Sequence, residues 1–425
     1  MTKFLPAFGK LIPWIVSVFF VVTITSCGGK IDSEEKAHEH IAELVENKVE
    51  PDFVENQYRA NIQLTKTNLL SMLPDLDESP ISLGVREGPN VVVAEIFTSS
   101  EKAGKGRDGF YIELAKAFNS SGYKLDDGKL AAVAIRKMAS GLGAQFILSG
   151  SYVPDAFSPS NFLWGQMLDA SGIQLETIAD TTAPNTAGII VKKDKKELIT
   201  TNGELDLEKL LTNVSSGSFA MGYTNPYQSS TGLNFLLTIL STFAEGDEQQ
   251  MLSPDVGSAF EAFQTGVPFV AQTTLQMRDA AQGSGVLDAM VMEHQSWVNV
   301  RGMDDYEFIP FGVRHDSPLY ATPEADPAER EVLRLFAKFA SDQQSAVQNF
   351  GFGRNAQYQS AYQLSDGATI SSAQKLWKQK KSGGRPIAAM FVADVSGSME
   401  GVRLDNLKTA LIESADLINS ENAIG

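Results

Sequence analysis

The stretch Phe219-Ala220-Met221-Gly222-Tyr223-Thr224-Asn225-Pro226-Tyr227-Gln228-Ser229-Ser230-Thr231-Gly232 runs from a short apolar strand into a hydroxyl-rich turn. A helix follows, with leucines at positions 233, 236, 237 and 240, which is the spacing of one helix face. The same order of strand, polar turn and helix recurs after residues 91–97 and after residues 130–135. Alternating strands and helices predict a parallel sheet that helices cover on both faces, and therefore an α/β fold.

Serine and threonine side chains recur at the predicted turns between strand and helix. Ligands of parallel α/β sheets bind outside the carboxyl ends of the strands, where these turns lie. A hydroxyl there can cap the helix or bind an anion, because a helix N-terminus exposes unpaired N–H groups. One such hydroxyl alone is more often a cap, but their recurrence predicts a shared ligand cleft. The candidates are Ser99, Ser100, Ser140, Ser158, Ser160, Ser229, Ser230 and Thr231.

Two charged residues, Arg136 and Glu293, could also reach this cleft. Each could equally be the solvated end of a strand, and the sequence leaves both interpretations open. If Glu293 faced the ligand, its charge would disfavour a dianion and favour an amine-bearing solute.

The N-terminus has the pattern of a secretory signal. Lys3 and Lys10 precede an apolar run over residues 11–22, which is too short to span a membrane as a helix. The run ends in Ile24-Thr25-Ser26-Cys27-Gly28, which resembles a bacterial lipobox and implies that Cys27 is acylated. Cys27 is the only cysteine, so no disulfide can form within the chain. We expect a lipid-anchored, extracytoplasmic protein of the bacterial cell envelope.

A second motif lies near the end of the chain, where an apolar run at residues 388–393 leads into Asp394-Val395-Ser396-Gly397-Ser398-Met399. One carboxylate and two hydroxyls at alternate positions are hard oxygen ligands of the kind that Mg²⁺ prefers. The motif resembles the metal-ion-dependent adhesion site of von Willebrand factor A domains. That resemblance implies a protein partner, direct metal contacts from Ser396 and Ser398, and a contact from Asp394 mainly through water.

The remaining ligands of that adhesion site come from later Thr- and Asp-bearing loops, which this sequence does not contain. After a helix bearing Leu404, Leu407, Leu411 and Ile418, we expect no second strand before Gly425. The domain is therefore expected to be a fragment, and Mg²⁺ to bind only if residues beyond 425 complete it.

Residues from about 90 to 353 resemble a type II periplasmic solute-binding protein. The stretch from Tyr223 to Gly232 is similar to the anion-contacting turn of that family's second lobe, and residues 329–339 with Gly351-Phe352-Gly353 resemble its closing helix and tail. The resemblance implies two α/β lobes, with crossings near residues 188–192 and 308–320, that close over a small solute, an oxyanion being one candidate. The contacts that it implies are Ser99, Ser100, Ser140, Ser160, Ser229, Ser230 and Thr231.

The expected organisation has five segments. They are a lipoprotein signal peptide at residues 1–26, a helical spacer and linker at 27–85, a bilobal solute-binding-like domain at 86–360, a linker at 361–385, and the first strand-helix unit of a Rossmann-like von Willebrand A domain at 386–425.

Composition and motifs exclude several functions. The net charge of -17 disfavours nucleic acid as a partner. Phosphate-loop, dinucleotide and Gly-x-Ser-x-Gly fingerprints are absent, and the four histidines lack a nucleophile context, so we expect a binding protein and not an enzyme. Two alternatives stay open: an adhesion or assembly scaffold whose bilobal domain binds no small ligand, and an enzyme built on the bilobal fold.

Overall fold

A computed structural model describes residues 36, 73–85, 88–284, 287–353, 357–362, 364, 366–384, 388–389, 392–393, 396–416 and 423–424. The chain separates into two compact units, Met1–Gln63 and Leu64–Gly425. Lys36, in a helix, is the described residue of the first unit. The predicted signal peptide, Cys27 and most of the predicted spacer lie outside the described residues. Within the described part of the chain, no helix has the length and apolar character needed to cross a membrane.

In the second unit, the described strands and helices alternate along most of the chain. The strands are β1 Ile81–Leu83, β2 Val91–Thr98, β3 Leu130–Lys137, β4 Ala156–Ser158, β5 Glu176–Ala179, β6 Thr186–Lys192, β7 Thr200–Thr201, β8 Glu204–Leu205, β9 Met221–Thr224, β10 Phe269–Ala271, β11 Ala289–Glu293, β12 Tyr306–Arg314, β13 Leu319–Ala321, β14 Ala388–Ala389 and β15 Ala423–Ile424. The α-helices are α1 Phe110–Ser120, α2 Ser140–Ser149, α3 Leu163–Ala170, α4 Leu207–Ser215, α5 Ser230–Phe243, α6 Pro254–Gln264, α7 Thr274–Ser284, α8 His294–Val298, α9 Pro327–Asp342, α10 Gln344–Asn349, α11 Ala368–Lys380 and α12 Val402–Asp416.

The first lobe is built on a six-stranded sheet with the order β1-β3-β2-β4-β13-β5. Strand β2 pairs in parallel with β3 along its whole length and with β4 at its carboxyl end. The α/β prediction for this part of the chain is confirmed. Helix α9 contains the predicted closing helix, and it begins with a capping box between Asp326 and Glu329 and with Pro327 in its first turn.

The second lobe is built on a five-stranded sheet with the order β10-β9-β11-β6-β12. Strand β9 lies between β10 and β11 and is parallel to both, whereas β6 and β12 run antiparallel to their neighbours. Helix α5 packs against this sheet with Leu233, Leu236, Leu237 and Leu240 buried, as their spacing predicted.

Two short crossovers join the lobes. Residues 180–185 connect β5 to β6, and residues 315–318 connect β12 to β13. The second crossover lies inside the range predicted for it. The first prediction was wrong by several residues, because residues 188–192 belong to β6, which is an interior strand paired with β11 and β12.

Helix α11 lies within the segment expected to be a linker, yet it is packed against both lobes. It contacts α3 of the first lobe and α5 and α6 of the second. Ile370, Ala373 and Trp377 are buried, and Trp377 Nε1 donates a hydrogen bond of 2.6 Å to Tyr223 Oη. The apolar positions of α11 are few and stand among lysines and glutamines, which is why the sequence pattern suggested a solvated linker.

The C-terminal segment contains a second strand, contrary to our expectation. Strands β14 and β15 pair in parallel, Ala388 with Ala423 and Ala389 with Ile424, and α12 lies between them in the chain. A strand of two residues leaves no readable alternation in a sequence. The order of strand, turn, helix and parallel strand is that of a β-α-β unit. A von Willebrand A domain remains a prediction for this segment.

Candidate functional site

A small cavity lies where the carboxyl ends of five strands meet. Strands β2 and β3 of the first lobe and β9, β10 and β11 of the second contribute the turns or end residues that line it. The polar lining includes Ser100, Glu101, Ser140, Ser229, Thr274 and Glu293. The cavity volume is about 20 Å³, which is room for about one water molecule. The structure is therefore a closed arrangement, and a solute larger than water can enter only if the lobes separate.

The structure brings the seven predicted contact residues together. Four of them line the cavity, and they are Ser100, Ser140, Ser229 and Ser230. The other three are buried. Ser160 Oγ lies 3.2 Å from Ser99 Oγ, and Thr231 Oγ1 lies 3.2 Å from Thr274 Oγ1. Ser158, a further candidate, is buried and bonded to Lys102. Ligand contact by any of these residues remains a prediction.

Helix α5 presents its N-terminus to the cavity. Ser229 caps the helix, because its Oγ accepts from the Gly232 N–H at 3.5 Å, and it also accepts from Thr224 Oγ1 at 2.9 Å. Position 232 requires glycine, since a Cβ atom there would lie 1.9 Å from the Thr224 carbonyl oxygen. Ser230 Oγ accepts a hydrogen bond of 2.8 Å from Trp164 Nε1 of the first lobe, which leaves its own O–H as a donor.

Direct contacts hold the lobes closed at several points. The Gly141 N–H of α2 donates to the Gln228 carbonyl oxygen at 3.1 Å. Arg278 of the second lobe forms an ion pair with both carboxylate oxygens of Asp108 of the first, at 3.1 and 3.0 Å. These contacts and the Trp164 bond must all break before the cavity opens.

Glu293 connects the cavity to both crossovers. It is buried at the end of β11, and its Oε1 lies 2.8 Å from His315 Nδ1. Its Oε2 accepts from Asn185 Nδ2 at 3.0 Å, and the Asn185 amide is oriented by the Gln295 N–H, which donates to its Oδ1 at 3.2 Å. Asn185 ends the first crossover and His315 begins the second. The carboxyl group that lines the cavity is thus bonded to both segments that join the lobes.

The hydrogen-bond network assigns the proton of His315. The Asn234 amide is oriented by the backbone of Val313, which donates to its Oδ1 and accepts from its Nδ2, both at 2.9 Å. The same Nδ2 lies 3.1 Å from His315 Nε2, and Asn161 Nδ2 lies 3.2 Å from that nitrogen. Because Nε2 receives two amide donors, it is the acceptor, and the ring is neutral with its proton on Nδ1. His315 therefore donates to Glu293.

This Glu–His pair resembles the acid and base of a catalytic triad, but its histidine is not placed to take a proton from a nucleophile. A triad histidine takes a proton from a nucleophile at the nitrogen that faces away from the carboxylate. In His315 that nitrogen is occupied by the amides of Asn161 and Asn234. The pair is thus suited to holding a carboxylate in place and not to removing a proton from a serine.

Glu101 lines the cavity from the first lobe. Its carboxylate accepts a hydrogen bond from the Ser160 hydroxyl. Burial, followed by the charge of Glu293, raises the pKa of Glu101 above its ordinary value. Neighbouring Lys102 donates to the Ser158 carbonyl at 2.9 Å, to Ser158 Oγ at 3.1 Å and to the Pro159 carbonyl at 3.1 Å. Its burial lowers the pKa of Lys102 to about 7.

Sequence reasoning singled out Glu293 but missed Glu101 and Thr274. Glu101 follows Ser99 and Ser100 in the same turn, so an acid beside a hydroxyl pair was the available signal. Thr274 follows the apolar strand β10 in the same strand, polar turn and helix order that was used at the other turns.

Arg136 is not among the cavity residues. Its Nε donates to Glu95 Oε1 at 2.5 Å, and its Nη1 donates to the Ser79 carbonyl oxygen at 2.8 Å. We expect Arg136→Ala to lower the free energy of unfolding by about 2 kcal/mol, because Glu95 loses a charged partner in a part-buried site. Urea denaturation measures this. Arg334→Ala is the control: its ion pair with Glu176 is exposed and should contribute little. Equal losses in the two variants would contradict the assignment.

The predicted metal residues give an incomplete donor set. Asp394 lies outside the described residues, as does the side chain of Ser398, and Ser396 is exposed before a 3₁₀ turn at Gly397–Met399. In the described part of the chain, no three His, Cys, Asp or Glu side chains form a group that could hold a metal ion. Two hydroxyls and one carboxylate do not fill the octahedral shell of Mg²⁺, so these residues alone do not fit a complete site.

Comparison with known proteins identifies the fold. No protein-family model and no curated protein matches the sequence. Among solved structures, the chain is similar to a periplasmic thiamin binding protein, with a TM-score of 0.50 and 12% identity over 70% of this chain and 99% of that one. The chain has a periplasmic-binding-protein fold. The two sheets, the paired crossovers and the cleft between the lobes, described above, are the parts of that fold.

Two further solved structures align over a similar share of the chain. The periplasmic binding protein AfuA from Actinobacillus pleuropneumoniae, with exogenous fructose-6-phosphate bound, has a TM-score of 0.48 and 11% identity over 68% of this chain and 98% of its own. The sulfate-binding protein SubI from Mycobacterium tuberculosis H37Rv has a TM-score of 0.43 and 12% identity over 68% of this chain and 91% of its own.

Proposed function

We propose that this protein captures a small solute between its two lobes and works by binding, without catalysis. One observation carries the proposal: buried polar side chains from five strand ends in both lobes converge on one cavity. A closed cleft of this kind couples occupancy to lobe closure, so a partner can detect whether solute is bound.

Replacing Ser230 tests the cleft. Thermal denaturation of the full chain is followed with small anions, amino acids and sugars, where a ligand at 100 times its Kd adds about 2.7 kcal/mol of stability. Ser230→Ala should lower the affinity for a stabilising probe about tenfold, because it removes one hydroxyl donor from the cavity. The control is Ser258→Ala, which replaces an exposed serine of α6 in the same lobe and should leave that affinity unchanged. Equal affinity in the two variants would show that the solute binds outside this cavity.

We also propose that the protein is held at the outside of a bacterial membrane by a lipid on Cys27. The support is the lipobox-like sequence that ends in this cysteine after an apolar run. Mass spectrometry of the membrane-extracted protein would show the acylated residue. Cys27→Ser should release the protein from the membrane fraction.

The C-terminal segment is proposed to bind a protein partner as part of a von Willebrand A domain. Mg²⁺ would be held there by Asp394, Ser396 and Ser398 together with further ligands. Helix α11 supports coupling between this segment and the cleft, because Gln374 Nε2 donates to the Pro226 carbonyl at 2.8 Å, in the turn that leads to Ser229. If that turn moves when solute binds, α11 and the chain that follows it would move with it.

A scaffold whose lobes bind no small ligand is the second candidate. The small volume of the closed cavity favours it, since about 20 Å³ holds no organic solute without opening. If no class of solute stabilises the full chain, the scaffold is the better description.

A further inference from the structure

The charges around the cavity discriminate between classes of solute. Glu293 accepts hydrogen bonds from His315 at 2.8 Å and from Asn185 at 3.0 Å, and both donors are neutral. In its ionised form, Glu293 has both carboxylate oxygens satisfied by these two donors. Its charge is therefore stabilised by dipoles and not by a cation that touches it.

Lys102, the buried cation nearest in sequence to this site, interacts electrostatically with Glu101 and Glu293 but has no N–H donor left for either. Lys102 has three N–H groups, and three oxygen atoms of Ser158 and Pro159 receive them. The ammonium group also lies 4.9 Å from the centre of the Tyr111 ring. Among the described residues that line the cavity, none is Lys, Arg or His.

Glu101 places a second carboxyl group at the same cavity from the opposite lobe. The N-termini of α2, α5 and α7 add partial positive charge at this cavity, which the two carboxyl groups also line. An incoming oxyanion would meet the charge of Glu293 in a site of low dielectric constant, whereas a cation would be attracted.

We infer that the cleft takes its solute by a protonated amine, whose N–H groups donate to Glu293 and Glu101 while the hydroxyls of Ser100, Ser140 and Ser229 bind its polar remainder. The inference rests on the proposed solute-binding function and names its substrate class. An ammonium group gives each carboxylate a donor with a full charge, which a neutral sugar does not.

Matched four-carbon probes test the inference on the full chain. Putrescine, succinate and 1,4-butanediol are four-carbon molecules whose two ends are ammonium, carboxylate and hydroxyl groups respectively, and sulfate serves as the inorganic anion. Putrescine should raise the melting temperature, and succinate and sulfate should not. Stabilisation by succinate or sulfate without putrescine would overturn the amine assignment and leave solute binding standing. No shift with any probe would count against both proposals.

Two variants locate the effect. Glu101→Gln and Glu293→Gln should each lower the affinity for putrescine at least tenfold, as measured by calorimetric titration. Glu307→Gln, whose carboxylate pairs with Lys196 at the surface, is the matched control and should bind as the unaltered protein does. Glu293→Gln also disturbs the crossovers, so its melting curve without probe establishes that it folds. If Glu293→Gln does not fold, Glu101→Gln alone is the test. Unchanged putrescine affinity in Glu101→Gln would overturn the inference.

Discussion

Gly141→Ala is expected to weaken solute capture about 100-fold while leaving the protein folded. A Cβ atom at position 141 would lie 1.9 Å from the Tyr227 carbonyl oxygen and 2.8 Å from Gln228 Cα, both of which are backbone atoms of the other lobe. Neither can move aside alone, so the lobes must stay apart. We expect a loss of about 100-fold in affinity for any solute that stabilises the protein, or about 2.7 kcal/mol.

Helix propensity makes this result easy to interpret. Position 141 lies in the first turn of α2, and alanine is favoured over glycine in helices by about 1 kcal/mol. A loss of binding in Gly141→Ala therefore cannot be attributed to a weaker helix. Small-angle scattering should show a larger radius of gyration for the variant when solute is present.

Gly143→Ala is the matched control. It makes the same substitution two residues along the same helix, but its Cβ atom would meet side-chain atoms of Phe157 at 3.1 Å and Phe97 at 3.6 Å, both in the first lobe. We expect it to retain binding. If Gly141→Ala also retained binding, closure would not require the contact between α2 and the turn after β9.

Trp377→Ala is expected to lower the free energy of unfolding by about 3–5 kcal/mol, as for other buried tryptophans. The side chain is 4% exposed and belongs to the core cluster that contains Trp164 and Leu236, one from each lobe. Its removal leaves a cavity there and takes one of two donors from the buried Tyr223 hydroxyl, the other being Gln264. The urea midpoint should fall accordingly.

Two companion substitutions separate packing from hydrogen bonding. Trp377→Phe keeps most of the ring but loses the N–H donor, so it should cost about 1 kcal/mol. Lys378→Ala, exposed on the same helix, should change stability by less than about 0.5 kcal/mol. A Trp377→Ala variant as stable as Lys378→Ala would show that α11 is not part of the core. Ligand screens should accordingly retain residues 361–384.

Local pattern determined much of the fold. The leucine spacing of α5 and the apolar run of β2 depend on neighbours within a few residues, so a single sequence reveals them. Strand β15 and helix α11 depend on pairing and packing with distant residues. Their local sequences carry too few apolar positions for the pattern to be recognised.

The site was predictable only in part, for a related reason. A hydroxyl after a strand is visible in the sequence; Ser229 and Ser140 were chosen that way, and both line the cavity. The approach of Glu101 to Glu293 arises from the closure of two lobes, and no spacing rule connects residues that far apart. Whether Arg136 and Glu293 reach the cavity likewise required the sheet order, which places Arg136 beside β1 and Glu293 at the end of β11.

The bonds from Glu293 to Asn185 and His315 limit how this protein can be altered. Under the proposed function, a substitution that changes the charge at position 293 is expected to alter both the affinity for solute and the opening of the lobes, because it also changes these two bonds. Ser100 and Ser140 have no described bond to either crossover. New specificities, whether natural or engineered into a biosensor, should therefore arise first on the wall of the first lobe, where a binding group can be exchanged without altering the bonds to the two crossovers.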